Sequence, residues 1–387
     1  MGRLPKNKEM GEENEQLVKD ISSNQLGNIL KQNKEDHLNF EKRVEWKISS
    51  GSLLLDSALG GYINPCLLRL CGANNEGKTP QALEIVRNFL KDVPNSRCIW
   101  VLSEGRGLTK ENKERCGLPF TTNYEEWQDG NIMIIEANIY EFIIKMIKDL
   151  VLKNEEKKIY AFVIDSIDGL ILRNDVDKSA DDAMKVAGPA LLSKKMLQSL
   201  SLGMFKYGHL MILVSQVTSE IKLDMYSKTP NRGGNFSGGN ALLHASDFIM
   251  DWQSSYNSDY ILDNSSGKLN DGKSKPVGKW SKVVLQKSAI ETTRKQLISY
   301  PIKFGRKPSG IWREYELANL LIAWSMVIKA EKGAWLTLTE DLRSELKQFD
   351  EEIPEKVQGE TNLKEYLESK PEITEYLFNK FKNLLSS

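Results

Sequence analysis

The segment Gly72-Ala73-Asn74-Asn75-Glu76-Gly77-Lys78-Thr79 satisfies the pattern GxxxxGK[ST], and its setting constrains the fold more than any other stretch of the chain. An apolar run, Leu67-Leu68-Arg69-Leu70-Cys71, precedes it, and a helical pattern over Gln81–Leu90 follows. Strand, loop and helix in that order make a phosphate cradle. The glycines let backbone N–H groups turn toward β- and γ-phosphates, and the helix N-terminus adds partial positive charge. On this reading Gly72 through Pro80 form an ATP-binding loop, Lys78 reaches the phosphates and the Thr79 hydroxyl ligates Mg²⁺. Pro80 lacks an N–H, which costs nothing in a first helical turn. Because a match of this length also arises by chance, the neighbouring strands decide its weight.

Three further apolar runs end in residues suited to the same site. Tyr160-Ala161-Phe162-Val163-Ile164-Asp165-Ser166 presents a carboxylate at a strand tip, where Asp165 would hold the Mg²⁺ hydration shell. Cys98-Ile99-Trp100-Val101-Leu102-Ser103-Glu104 ends in Glu104, placed to polarise an attacking water. On position alone, a solvated strand-end glutamate accounts for it equally well. Met211-Ile212-Leu213-Val214-Ser215-Gln216 ends in an amide that can reach a γ-phosphate or an ordered water. Ligands sit beyond the carboxyl ends of parallel strands, and four such ends agree with that rule.

Short apolar runs alternating with helix-length segments from about residue 46 to 330 predict an α/β core, its mostly parallel sheet flanked by helices. Tyr140–Leu152 and 189–205 are further helical candidates. Residues 1–45 are polar, with a sparse helical spacing through Leu17, Ile21, Leu26 and Leu30, and read as an N-terminal arm. The stretch 253–279, rich in Ser, Asn, Asp and Gly, reads as an exposed loop or hairpin. Its lysines, with those that follow (Lys273, Lys275, Lys279, Lys282, Lys287), suit a solvated hairpin better than a basic patch. Residues 331–387 form a small C-terminal domain.

With 53 Lys+Arg against 53 Asp+Glu, the molecule as a whole does not attract polyanions, so any such binding comes from local clusters. The four cysteines form no CxxC pair, which argues for a reduced chain without a disulfide framework. No apolar leader opens the sequence and no apolar stretch reaches spanning length, so a cytoplasmic protein away from membranes is expected.

Taken in order, these motifs resemble the RecA family of strand-exchange recombinases over nearly the whole chain. Ile48 through Gly60 is similar to the segment preceding that family's phosphate loop, and Gly238-Gly239-Asn240-Ala241-Leu242 to the one closing its second DNA-binding loop. Lys332-Gly333-Ala334-Trp335 through Leu385 is similar to the bacterial C-terminal domain. The resemblance implies a RecA-type P-loop ATPase core, a polymerising N-terminal arm and a small C-terminal α/β domain. It implies a helical homo-oligomeric filament on single-stranded DNA that pairs with homologous double-stranded DNA, using ATP and Mg²⁺. Glu104 matches the catalytic glutamate, Gln216 the γ-phosphate sensor and Lys287 a cation supplied across the protomer interface.

Two DNA-binding loops are implied, near 173–195 and 217–239. In the first, Lys185, Lys194 and Lys195 carry the basic character. In the second it is Lys222, Lys228 and Arg232, with Ile221 as an apolar wedge and Gly238, Gly239 and Asn240 at the close. A long, glycine-bearing cationic segment suits a phosphodiester backbone. On composition alone a solvated loop accounts for these cations better. The chain also departs from the family. Thr218 and Glu220 stand where basic residues are common, Asn112 replaces an adenine-stacking aromatic, and Leu285 occupies the place of a second interfacial lysine. A hexameric helicase-like ATPase, or a filament that binds ATP and hydrolyses it slowly, therefore stays open as an alternative.

Overall fold

The computed structural model describes residues 23–105, 107–176, 200, 202–218, 235–236, 239–264, 267–269, 274–290, 293 and 295–386. Helix α1 covers residues 23–32. Then come α2 (Leu53–Ala58), β1 (Leu67–Gly72), α3 (Lys78–Asp92), β2 (Ser96–Leu102), α4 (Lys110–Cys116), β3 (Phe120–Thr121) and β4 (Ile132–Glu136). The middle of the chain forms α5 (Tyr140–Leu152) and β5 (Ile159–Asp165), helical residues 202–206 (α6), and β6 (Leu210–Val214). β7 (Val217–Thr218), β8 (Asn235–Phe236), α7 (Gly239–Ala245), β9 (Phe248–Trp252), β10 (Tyr260–Leu262), β11 (Pro276–Lys287) and β12 (Leu297–Lys303) follow. The C-terminal part holds α8 (Arg313–Ala323), β13 (Val327–Lys329), β14 (Trp335–Leu338), α9 (Glu340–Leu346), β15 (Lys356–Gln358), α10 (Gly359–Ser369) and α11 (Pro371–Ser386).

The central sheet runs β10-β11-β9-β1-β6-β5-β2-β4-β3, with β12 paired to β11. From β9 to β3 the ladders are parallel, and β10, β11 and β12 join antiparallel at one edge. The molecule is thus α/β, its mostly parallel sheet covered by helices. The runs are apolar along most of their length because both faces are covered, with Arg69 of β1 an exception. Leu68 and Leu70 of β1 pack with Ala82, Leu83 and Val86 of α3 on one face. Leu67, Ile99, Phe162 and Leu213 pack with Ile143 and Ile147 of α5 and Met204 of α6 on the other. Alternation along β1 then sends Arg69 and Cys71 to that second face, where both are fully buried.

A three-stranded sheet, β13-β14-β15, lies outside the main one. Its core joins Leu336, Leu338, Leu342, Leu363, Leu377 and Phe381 to Leu317 and Leu321 of α8 and Leu53 of α2, so apolar packing continues across residue 330. Glu316 completes the seam. Its carboxylate accepts from Ser52 Oγ at 2.5 Å and from the N–H groups of Leu53 and Leu54 at 3.0 Å, satisfying the first turn of α2. Among the described residues, no helix is long and apolar enough to cross a membrane.

Candidate functional site

Register brings the expected strand ends into one row. Leu102 of β2 lies opposite Asp165 of β5, Asp165 opposite Val214 of β6, and Leu70 of β1 opposite both Val214 and Met250 of β9. Gly72, Glu104, Asp165 and Gln216 therefore emerge at the same edge, the carboxyl end of the parallel strands.

The loop after β1 is shaped by close contact with β9. Gly72 has φ +137°, and a Cβ there would stand 2.5 Å from the Trp252 carbonyl oxygen, so only glycine fits. Gly77 caps α3 with φ +111°. Lys78 Nζ donates to the carbonyls of Gly72 and Ala73, 2.7 Å from each. Burial lowers the pKa of this ammonium, against the opposing pull of Asp165 and neighbouring carboxylates. Neutral carbonyls are weaker partners for an ammonium than an anion would be.

Thr79 Oγ1 donates to Asp165 Oδ2 at 3.0 Å. Burial raises Asp165 to about 6, reinforced by the charge of Glu104 and offset by Thr79 and Lys78. A hydroxyl and a carboxylate held together, the latter short of counter-charge, form a donor set that suits Mg²⁺, which takes one or two protein oxygens and keeps several waters.

Glu104 is held by two donors. Ser166 Oγ donates to Glu104 Oε1, and Gln216 Nε2 reaches the same oxygen at 3.3 Å. The Gln216 backbone N–H donates to Asp168 Oδ2 at 2.6 Å, and the Asp168 N–H to Ser166 Oγ at 3.3 Å. Ser103 Oγ accepts from the Ser166 N–H at 3.1 Å and donates to the Ser166 carbonyl. The Asp165–Ser166 peptide is cis. Ser103 and Asp168 had no role on sequence grounds, and Ser166 only its place beside Asp165 at the strand end.

The segment after β9 closes one side of the loop. Glu76 Oε1 and Oε2 accept from the Ser255 N–H at 3.1 Å and from Ser255 Oγ at 2.6 Å, and Lys279 Nζ lies 3.1 Å from Oε2. Lys282 pairs with Asp259 at 2.5 Å. Lys279 and Lys282 are therefore not free ends of a solvated hairpin: β10 and β11 do form one, but these two lysines turn onto buried or half-buried carboxylates. Beneath the site, Gln81 of α3 donates to the Ser50 carbonyl at 2.8 Å and accepts from Tyr300 Oη at 2.9 Å, fixing α3 to β12.

Lys287 stands apart. It pairs with Ile249, three residues before Trp252, roughly 10 Å along the sheet from the row that holds Gly72. Its Nζ donates to the carbonyls of Leu243 and His244 at 3.1 and 2.6 Å, capping the end of α7. Leu285 is fully buried in the α3-side core, and a register shift separates it from Lys287. Gly239 and Asn240 open α7. Lys185, Lys194, Lys195, Ile221, Lys222, Lys228, Arg232 and Gly238 lie outside the described residues.

Compared with known proteins, the chain matches no family model, and no curated protein matches it.

Proposed function

We propose that the chain is a DNA-dependent ATPase of the RecA kind, assembling as a helical filament on single-stranded DNA and pairing it with homologous double-stranded DNA. One observation carries the reading. A phosphate-loop lysine and threonine, a Thr79–Asp165 pair, and a glutamate bridged to a glutamine occupy a single row of strand ends. The order of these motifs along the sequence supports the RecA assignment in particular.

On this reading Lys78 exchanges the carbonyls of Gly72 and Ala73 for phosphate oxygens. Thr79 and Asp165 hold Mg²⁺, whose charge offsets that of the phosphates when it is bound. Glu104 accepts a proton from the attacking water, oriented for the task by the Ser166 hydroxyl and the Gln216 amide. Gln216 also begins the segment leading to β7, so its hydrogen bond to Glu104 ties the hydrolytic carboxylate to the implied DNA-binding loop. That coupling is the basis for expecting DNA to alter turnover.

A leucine at 285, where the RecA family carries a second interfacial lysine, favours a second reading, a filament that binds ATP and turns it over slowly. Equilibrium binding of a fluorescent oligothymidylate, with and without ATP over a range of salt, tests the proposal. ATP-dependent, salt-sensitive binding is the expected result. Binding indifferent to ATP would overturn it, and closed rings seen by electron microscopy would favour the helicase-like alternative.

A further inference from the structure

A carboxylate is an awkward occupant of a phosphate-binding loop. Glu76 lies one residue before the glycine that caps α3, within the segment whose N–H groups would face the phosphates. A negative charge there repels a polyanion and cancels part of the helix dipole's attraction for it.

The side chain is turned onto the β9–β10 connection and β11. Ser255 donates to it twice, Lys279 Nζ lies 3.1 Å away, and Lys279 also donates to Ser255 Oγ at 3.1 Å, which closes a triangle. The side chains of Lys279 and Glu76 are only 13% and 15% exposed, so solvent ions screen the pair weakly. Burial works to raise the pKa of Glu76, but the Ser255 hydrogen bonds and Lys279 outweigh it and hold the carboxyl below its ordinary value.

The triangle is itself well supported. The Gln253 N–H donates to the Lys282 carbonyl at 2.9 Å, the Tyr256 N–H to Asp259 at 2.9 Å, and Lys279 pairs with Tyr260 across the hairpin. Ser255 and Lys279 thus come from separate elements, each anchored independently of the phosphate loop.

We infer that Lys279 is a positioning residue that neutralises Glu76 and holds it off the bound phosphates, so that nucleotide affinity depends on this pair as well as on the loop. The inference rests on the reading of Gly72–Thr79 as a nucleotide site. Substitutions at the two positions should then act with opposite sign. Lys279→Met leaves the loop carboxylate uncompensated and weakens binding. Glu76→Gln leaves a free cation beside the phosphates and does not weaken it.

The experiment is equilibrium binding of the fluorescent analogue mant-ATP with Mg²⁺ to the full chain at a fixed low salt concentration. Lys279→Met is expected to raise Kd on the order of tenfold, as one uncompensated charge near a polyanion would. Glu76→Gln/Lys279→Met should return Kd to within about threefold of wild type, since deleting both charges removes the imbalance. Lys279→Arg should keep most of the affinity. A purely structural role would leave the double variant as weak as Lys279→Met, and that result overturns the inference. Wild-type binding by Lys279→Met overturns it too. Lys78→Ala separates the two levels: if the wild type does not bind mant-ATP, or Lys78→Ala binds it equally well, the nucleotide reading fails and takes this inference with it.

Discussion

Gly169 packs against the back of the candidate hydrolytic carboxylate, and replacing it by alanine probes that contact directly. A Cβ at this position would stand 2.6 Å from Ser103 Oγ, 2.9 Å from the Ser103 carbonyl oxygen and 3.0 Å from Glu104 Cγ. Ser103 has little room to retreat, because its hydroxyl is held between the N–H and carbonyl of Ser166. Overpacking of this kind costs about 1–3 kcal/mol, so thermal denaturation should show a drop of a few degrees. The displacement falls on Ser103 and Glu104, whereas the loop that holds Lys78 and Thr79 hangs from β1 and α3. Since a 1 Å misplacement of a catalytic group costs on the order of a hundredfold, a shift of a few tenths should lower kcat by about tenfold. Binding of mant-ATP should stay within about twofold of wild type, because Lys78 and Thr79 make none of the three contacts. If Gly169→Ala melts and turns over like wild type, the steric argument is wrong. If it melts lower but keeps its kcat, Glu104 is not where the chemistry occurs.

Two further outcomes concern the frame around the site. Burial raises Glu316 to about 7, despite three hydrogen bonds to its carboxylate, and raises Asp56 nearby to about 6. Both folded-state values exceed the ordinary carboxylate values, so the folded chain binds more protons than the unfolded chain between roughly pH 4 and 7. Stability should therefore fall as pH rises through that window, and Glu316→Gln should flatten the slope in melts taken at several pH values. Lys287→Ala should remove the cap on α7 at a cost of about 1 kcal/mol, seen as faster amide hydrogen exchange at 243–247. Unchanged protection there would show that the hydrogen bonds to Leu243 and His244 contribute nothing.

Much of the site could be read from the chain because parallel strands buried on both faces appear as unbroken apolar runs, and their last residues stand out. Gly72, Glu104, Asp165 and Gln216 were each visible as the polar end of such a run, and the shared register of β1, β2, β5 and β6 brings them together. Ser103 and Asp168 gave no comparable signal, since a serine or aspartate at or after a strand end is ordinary turn chemistry until its partner is known. Lys279 looked like one cation of a hairpin. Its carboxylate partner is 203 residues away, and no periodicity reports a contact at that separation. β9 went unnoticed because Asp251 interrupts its short apolar run, although its pairing with β1 shapes the loop after β1. The seam at Glu316 was hidden for a related reason. A glutamate on an apolar helix face reads as solvated until the N-terminus of α2 is seen to lie over it.

The central claim, that this row of strand ends hydrolyses ATP and answers to DNA, is tested most directly by ATP hydrolysis with and without single-stranded DNA, in wild type and Glu104→Ala. Strong stimulation by DNA is expected in the wild type, and its loss in the variant. Hydrolysis indifferent to DNA, or undiminished in Glu104→Ala, would contradict it.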